Sequence, residues 1–281
     1  MLNGWWRVKA DLHCHSHYSD GTESISDLIS RAIANQVTHL AITDHDCTRG
    51  LDDVPNELDK LVVIKGVEIS CRWDNIEVHI VGLNIDPNHD ALSSLLGAQQ
   101  LARRTRVETM AEKLQILGTS GLIDYLDGLP CIAYTRSHVA NFLVEQGVCK
   151  NRQKSFKTHL GKGGKIYVAS RWCNLVEGVE AIRAAGGIAV LAHPGRYPLN
   201  KNRLEILVRA FATAGGDALE GSYPNINPNT RKQLDLLAQQ HQLYLSAGSD
   251  FHDPAARWTD IGKFPHLEPE SLSSVWHHSR W

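Results

Sequence analysis

Short apolar, β-branched runs recur along the chain, and each closes on polar residues. They are "WWRVKADLH" (5–13), "THLAITDH" (38–45), "LVVIKGVEIS" (61–70), "IEVHIVGLNI" (76–85), "GIAVLAHP" (187–194), "DALEGSY" (217–223) and "LYLSAGSDFH" (243–252). Their length and composition predict seven strands. Between several of them apolar residues recur at spacings of three and four, predicting helices over 24–36, 175–187 and 229–242, with Ser24, Asn174 and Asn229 or Thr230 as N-caps. Strands that alternate with helices imply parallel pairing through right-handed crossovers, so the expected fold is α/β, a closed or distorted β/α barrel. Residues 97–165 break the alternation. A long helix is predicted over 95–118 and another over 135–147, with no clear strand between them. The chain therefore reads as a first barrel part (1–96), a helical insertion (97–165) that could cap the barrel, and a second barrel part (166–281).

The polar ends of the predicted strands carry the candidate chemistry. In "VKADLHCHSHYSDG" (8–21), His13 and His15 stand two residues apart. In an extended strand they project to one face while Leu12 and Cys14 turn to the other. Asp250 and His252 repeat that spacing, and His45, Glu68, His79 and His193 fall at further strand ends. In β/α barrels this C-terminal end of the strands gathers the catalytic side chains. A set of imidazoles and carboxylates without thiolate suits Mn²⁺, Zn²⁺ or Fe²⁺, and a carboxylate such as Glu68 can bridge two ions. His17, a third alternate position, lies where "YSDG" already turns the chain, so it is expected beside the site rather than as a ligand. Asp44 is expected to orient a ligand.

Composition narrows the setting. With 281 residues, 42% apolar and 21% charged, the chain is long enough for a sizeable core. No basic segment followed by an apolar run opens it, and no stretch approaches a membrane span, so a soluble cytoplasmic protein is expected. The six cysteines include no C-x-x-C pair, and they are expected to be reduced and mostly buried. Net charge is −2, but residues 97–165 carry 11 Lys and Arg against 5 Asp and Glu. That local excess suits an anionic substrate.

Taken in order, "DLHCHSHYSDG", "ITDHD", "GVEIS", "HIVG", "LAHPGRY" and "GSDFH" resemble the successive motifs of the polymerase and histidinol phosphatase (PHP) family. The resemblance runs the whole length of the chain and implies a distorted seven-stranded β/α PHP barrel with three divalent metal ions, Mn²⁺ foremost. By that resemblance His13, His15, Glu68 and Asp250 would hold one ion, Glu68, His79 and His193 a second, and Asp20, His45 and His252 a third. Asp20 stands where some relatives have histidine. The "SDG" motif and the position of the insertion are most similar to the ribonuclease AM-like branch, whose members are 5′→3′ exoribonucleases and 3′,5′-bisphosphate nucleotide phosphatases.

The implied reaction is phosphoester hydrolysis by a metal-activated hydroxide, with no separate protein nucleophile, on nucleotides or short RNA. Histidinol phosphate hydrolysis and a catalytically silent metal-binding module are the alternatives. No membrane and no obligate protein partner is expected. Arg136 and His138 in "YTRSH", with Arg196, are the candidate phosphate contacts. "RRTR" (103–106) and 150–165 could carry an RNA backbone, Phe156 and Tyr167 could stack bases, and the glycines at 161–164 read as a flexible linker.

Overall fold

The computed structural model of the protein describes residues 8–267 and 273–281; the opening residues of the first predicted strand lie outside them. The strands are β1 (Ala10–Asp11), β2 (His39–Ile42), β3 (Val62–Trp73), β4 (Ile76–Leu83), β5 (Cys173–Asn174), β6 (Ile188–Leu191), β7 (Ala218–Ser222) and β8 (Tyr244–Ala247). The helices are α1 (Ile25–Ala34), α2 (Asp90–Ile116), α3 (Leu122–Asp127), α4 (Arg136–Glu145), α5 (Arg152–Ser155), α6 (Leu175–Ala184), α7 (Lys201–Thr213) and α8 (Pro228–Gln240).

Seven strands run in the order β1-β2-β3-β4-β6-β7-β8, and the short β5 pairs with β3. The ends of this sheet meet. Beyond β1 and β8, Leu12 N–H donates to the Ala247 carbonyl (3.0 Å), Asp250 N–H to His13 (2.8 Å) and His15 N–H to Phe251 (2.9 Å). The result is a nearly closed, distorted barrel.

Parallel pairing holds for β1–β2, β2–β3, β6–β7 and β7–β8, but β4 runs antiparallel to both β3 and β6. The all-parallel expectation fails there for a local reason. Trp73 pairs with Ile76, so only Asp74 and Asn75 connect the strands, with Asp74 at φ 52°. A two-residue link makes a hairpin and is far too short for a crossover.

The runs that read as continuously apolar are buried on both faces. Along β6, Ile188 and Val190 join one core with Leu12, Ala218 and Trp276, while Ala189 and Leu191 join another with α6 and α7. Helix boundaries follow the caps. Ser24 with Asp27 closes the start of α1, and Asn174 with Glu177 that of α6. The start of α8 differs from expectation: Asn227 is the cap and Pro228 the first helical residue.

Helix α2 joins two cores through one buried stripe. Leu92 and Leu96 pack in the barrel-side core, and Val107, Met110 and Leu114 pack with α3 and α4 in a separate core. Between these ends the same stripe is polar, with Gln99, Arg103 and Arg106 buried at helical spacing. Arg103 donates to Asp46 Oδ2 through Nε (2.9 Å) and Nη2 (2.6 Å), and its Nη1 reaches the Tyr134 carbonyl (3.1 Å). Asp46 Oδ1 accepts from Ser70 N–H (2.9 Å) and Gln99 (3.2 Å). Residues 103–106 are therefore not an exposed RNA track, since Arg104 is tied to Glu108 and Asp127 and Arg106 donates to the Val168 carbonyl.

The glycine stretch is no loose linker either. Gly161 and Gly164 N–H donate to Phe156 and Gly161, folding the chain back on the turn before it. A Cβ on Gly164 would stand 2.5 Å from the His159 carbonyl. All six cysteines are free, five of them buried and Cys173 half-buried.

Replacing Arg103 with Met would leave the Asp46 carboxylate buried without its cation, a loss of about 3–5 kcal/mol. Arg104→Met, at an exposed pair, should change stability by less than about 1 kcal/mol. Denaturant midpoints of the two variants should differ accordingly, and equal midpoints would contradict a structural role for the buried pair.

Candidate metal centre

All nine residues that the resemblance marks as ligands converge at one end of the barrel. Glu68, on β3, is their centre, with no exposed surface. Its Oε1 lies 3.3 Å from His13 Nε2, 3.0 Å from His79 Nδ1 and 3.1 Å from His193 Nε2. Its Oε2 lies 3.3 Å from His15 Nε2 and 3.0 Å from His45 Nδ1. Asp250 Oδ1 reaches His13, His15 and His252 at 3.5, 3.3 and 3.6 Å. On the outer side Asp20 Oδ1 lies 3.2 Å from His252 and 3.7 Å from His45.

The backbone is bent to make this convergence. His193 (φ 32°), Asp250 (φ 49°) and Asp46 (φ 45°) all occupy the left-handed region, which side chains other than glycine rarely adopt. Gly248 permits a close approach of chains, since a Cβ there would sit 2.3 Å from His13 Cβ.

The arrangement suits cations better than a hydrogen-bonded core. His13 Nε2 and His15 Nε2 face each other at 3.2 Å, both toward the same carboxylates. Buried Glu68 Oε2, His45 Nδ1 and Asp20 Oδ1 have no hydrogen-bond partner, although nitrogen and oxygen atoms stand close. Burial opposes charge on Glu68, yet His13, His45 and His79 hold its carboxyl well below the usual range. Burial likewise opposes charge on His13, and Glu68, Glu220 and Asp250 outweigh it, raising that imidazole well above its ordinary value. His45 stays on the neutral side, lowered by burial. Carboxylates held ionised among imidazoles, which present a lone pair once a proton is lost, are what divalent ions bind. Donor atoms of His15, Asp20, His45 and His252, of His13, His15 and Glu68, and of His45, Glu68 and His79 each lie within 4.8 Å of one another.

Several supports escaped the sequence reading. Glu220, 2% exposed on β7, accepts from His13 Nδ1 (3.1 Å) and from His193 N–H (2.6 Å), which leaves His13 Nε2 free toward the centre. Its only signal is an acidic residue inside an apolar strand. Glu77 stands 3.4 Å from His79 Nε2, and the Tyr197 hydroxyl accepts from His79 N–H (2.8 Å). Asp44 accepts from Ser16 N–H (2.8 Å), Ser16 Oγ and Ser19 Oγ (both 2.6 Å), and Ser19 meets His15 Nδ1 (3.4 Å). It holds the 16–19 turn and through it His15. His17 stands apart from the cluster against Tyr18.

A cavity of about 110 Å³ lies beside the cluster, lined by Asp20, His45 and His79 together with Arg103, Arg106, Arg136, Phe156 and Trp172. Arg136 stands over the Phe156 ring (6.0 Å) and 3.8 Å from Glu77. Tyr167 is not among the lining residues. His138 Nδ1 accepts from Thr135 N–H (3.0 Å), closing the start of α4, so one of its two nitrogens is spent on the helix cap. Arg196 lies on Asp250 and over the Tyr223 ring (5.0 Å).

Comparison with known proteins agrees with this geometry. Residues 11–168 match the PHP domain. The chain is 41% identical to the 5′-3′ exoribonuclease Rnm of Escherichia coli K12, covering 96% of this chain and 94% of that protein. It is 37% identical to the 3′,5′-nucleoside bisphosphate phosphatase of Chromobacterium violaceum, over 92% of each. A sulfate-bound, metal-free amidohydrolase structure from C. violaceum superposes with a TM-score of 0.86 at 35% identity, covering 96% and 95% of the two chains. A candidate metal-dependent phosphoesterase from Bifidobacterium adolescentis superposes with a TM-score of 0.80 at 29% identity, covering 90% and 91%. The barrel, the order of the histidine-bearing strand ends and these full-length matches agree that the chain belongs to the PHP domain family.

Proposed function

We propose that this protein is a metal-dependent phosphoesterase that hydrolyses 3′,5′-bisphosphate nucleotides and short RNA from the 5′ end. The observation that carries this reading is the centre itself: one buried carboxylate, Glu68, with five imidazole nitrogens within 3.3 Å. The names of the two relatives described above supply the substrate class.

The reading assigns three ions. His13, His15, Glu68 and Asp250 hold the first, Glu68, His79 and His193 the second, and Asp20, His45 and His252 the third. The spacing of donor atoms groups His13, His15 and Glu68, groups Glu68 and His79 with His45, and groups Asp20, His45 and His252 with His15. Nitrogen and oxygen donors without thiolate favour Mn²⁺, with Zn²⁺ or Fe²⁺ as alternatives. Such ions supply Lewis acidity toward phosphoryl oxygens, a water of lowered pKa and charge to stabilise the leaving oxygen.

The chain's own residues do the rest. Arg136 and Arg106, across the cavity from the cluster, grip the substrate's phosphate oxygens, as planar guanidinium groups do. Phe156 and Trp172 wall the cavity beside them and exclude water. Glu220 fixes the His13 ring, and Glu77 the His79 ring. No side chain is placed as a nucleophile. The insertion, residues 97–165, is read as the unit that contributes the substrate-binding wall, and the protein is read as cytoplasmic; among the described residues no helix is long and apolar enough to cross a membrane.

The direct test is hydrolysis in Mn²⁺ of adenosine 3′,5′-bisphosphate, a 5′-phosphorylated short RNA and histidinol phosphate, with products separated by chromatography. The account expects phosphate from the bisphosphate, stepwise mononucleotides from the RNA, and loss of both activities in EDTA with recovery on adding Mn²⁺. Turnover of histidinol phosphate alone would move the protein to metabolite hydrolysis, and no turnover with any divalent metal would leave a silent module. Glu220→Gln should weaken metal affinity about 10- to 100-fold while leaving the fold intact. Metal titration followed by activity and by circular dichroism checks it, and unaltered affinity would remove Glu220 from the positioning of His13.

A further inference from the structure

The phosphoesterase reading accounts for the cavity but not for the charged surface beside it. From Glu145 to Glu177 the chain has no acidic residue, while Lys150, Arg152, Lys154, Lys157, Lys162 and Lys165 follow within sixteen positions. All six are exposed. Among the described residues none of them forms an ion pair, whereas Arg103 and Arg104 on α2 are each paired with a carboxylate. Unneutralised cations at this density repel one another, and nothing in the fold requires them.

Their placement supplies a reason. Lys150, Lys154 and Lys157 line one open groove of about 420 Å³ with the amides of Asn151 and Gln153, on the outside of α5. The same turn of chain presents Phe156 to the cavity of the metal centre, under the Arg136 guanidinium. The positive charge of Arg152 is felt at His138, which also feels Asp20 of the cluster. The basic strip therefore adjoins the cavity through Phe156.

We infer that the strip from Lys150 to Lys165 is a track for the backbone of single-stranded RNA, holding the nucleotides 3′ of the linkage that lies at the metals. The inference rests on the phosphoesterase reading for its direction. Amides interspersed among lysines fit phosphate and ribose oxygens without reading base identity. A duplex does not fit the reading, because Phe156, the aromatic that lines the cavity next to the strip, stacks an unpaired base. A mononucleotide ends at the cavity and cannot reach the track, so the track makes affinity depend on substrate length.

The test uses the full-length, metal-loaded protein and a fluorescent 5′-phosphorylated RNA of about twelve nucleotides with hydrolysis-resistant phosphorothioate linkages. Anisotropy titrations across a series of salt concentrations give affinity and its salt slope. Wild type should bind this RNA at least about tenfold more tightly than the corresponding dinucleotide, with log affinity falling steeply against log salt. Replacing Lys150, Lys154, Lys157 and Lys162 with Gln should flatten the slope by roughly two to three and abolish the length dependence. A Lys154→Glu, Lys157→Glu variant should act in the same direction through repulsion. Wild-type-like affinity and slope in both variants would overturn the track. So would preferential binding of phosphatidylglycerol vesicles over RNA, which would assign the strip to a lipid surface. Hydrolysis of adenosine 3′,5′-bisphosphate by the same preparations reports separately on the phosphoesterase reading. Steep, length-dependent RNA binding by a protein that hydrolyses no phosphoester would support the track and reject that reading.

Discussion

Glu68 sits with none of its surface exposed among five imidazole rings, and the functional end of the molecule is built around that packing. A carboxylate so enclosed needs positive charge. Five imidazolium ions would provide it only at the cost of mutual repulsion in a pocket that water does not screen. Divalent ions resolve the conflict, because neutral rings can then turn their lone pairs inward together with the carboxylate oxygens. The strands that carry these rings come from both halves of the chain, so the site exists only when the barrel closes between the segments after β1 and β8.

The same constraint reaches helix α2. Asp46 follows His45, donates its N–H to the Glu68 carbonyl (2.8 Å) and holds the Arg103 guanidinium from α2. Arg103 in turn lies under Trp172 (4.7 Å), which with Arg106 and Phe156 walls the cavity. The cavity wall and the histidine–carboxylate cluster are thus joined by one buried chain of hydrogen bonds and a guanidinium–ring contact. A buried network of this kind fixes position more than it adds stability.

Much of this was legible in the residues. Histidines two apart after a strand, repeated by Asp250 and His252, point to a common face without any structure, although Asp250 reaches it through a left-handed bend beyond β8 rather than through strand geometry. The direction of β4 was not legible: an apolar run looks the same either way, and only the two-residue Asp74–Asn75 link decides it. Glu220 reads as an ordinary polar position in a strand until His13 is found opposite. Arg103 and Arg106 read as part of a basic run that could carry an RNA backbone, since a buried stripe with polar members carries no hydrophobic periodicity. The basic residues from 150 onward read as a stretch that could carry an RNA backbone, and their lack of ion-pair partners among the described residues required the fold.

The most direct test of the account is the metal content of the protein. After reconstitution with Mn²⁺ and removal of loose ions, elemental analysis should find more than one ion per chain in the wild type. It should find at most one in Glu68→Ala, held by Asp20, His45 and His252, with circular dichroism showing that the barrel persists. Glu68→Ala that retains as many ions as the wild type would contradict the central place given to this carboxylate.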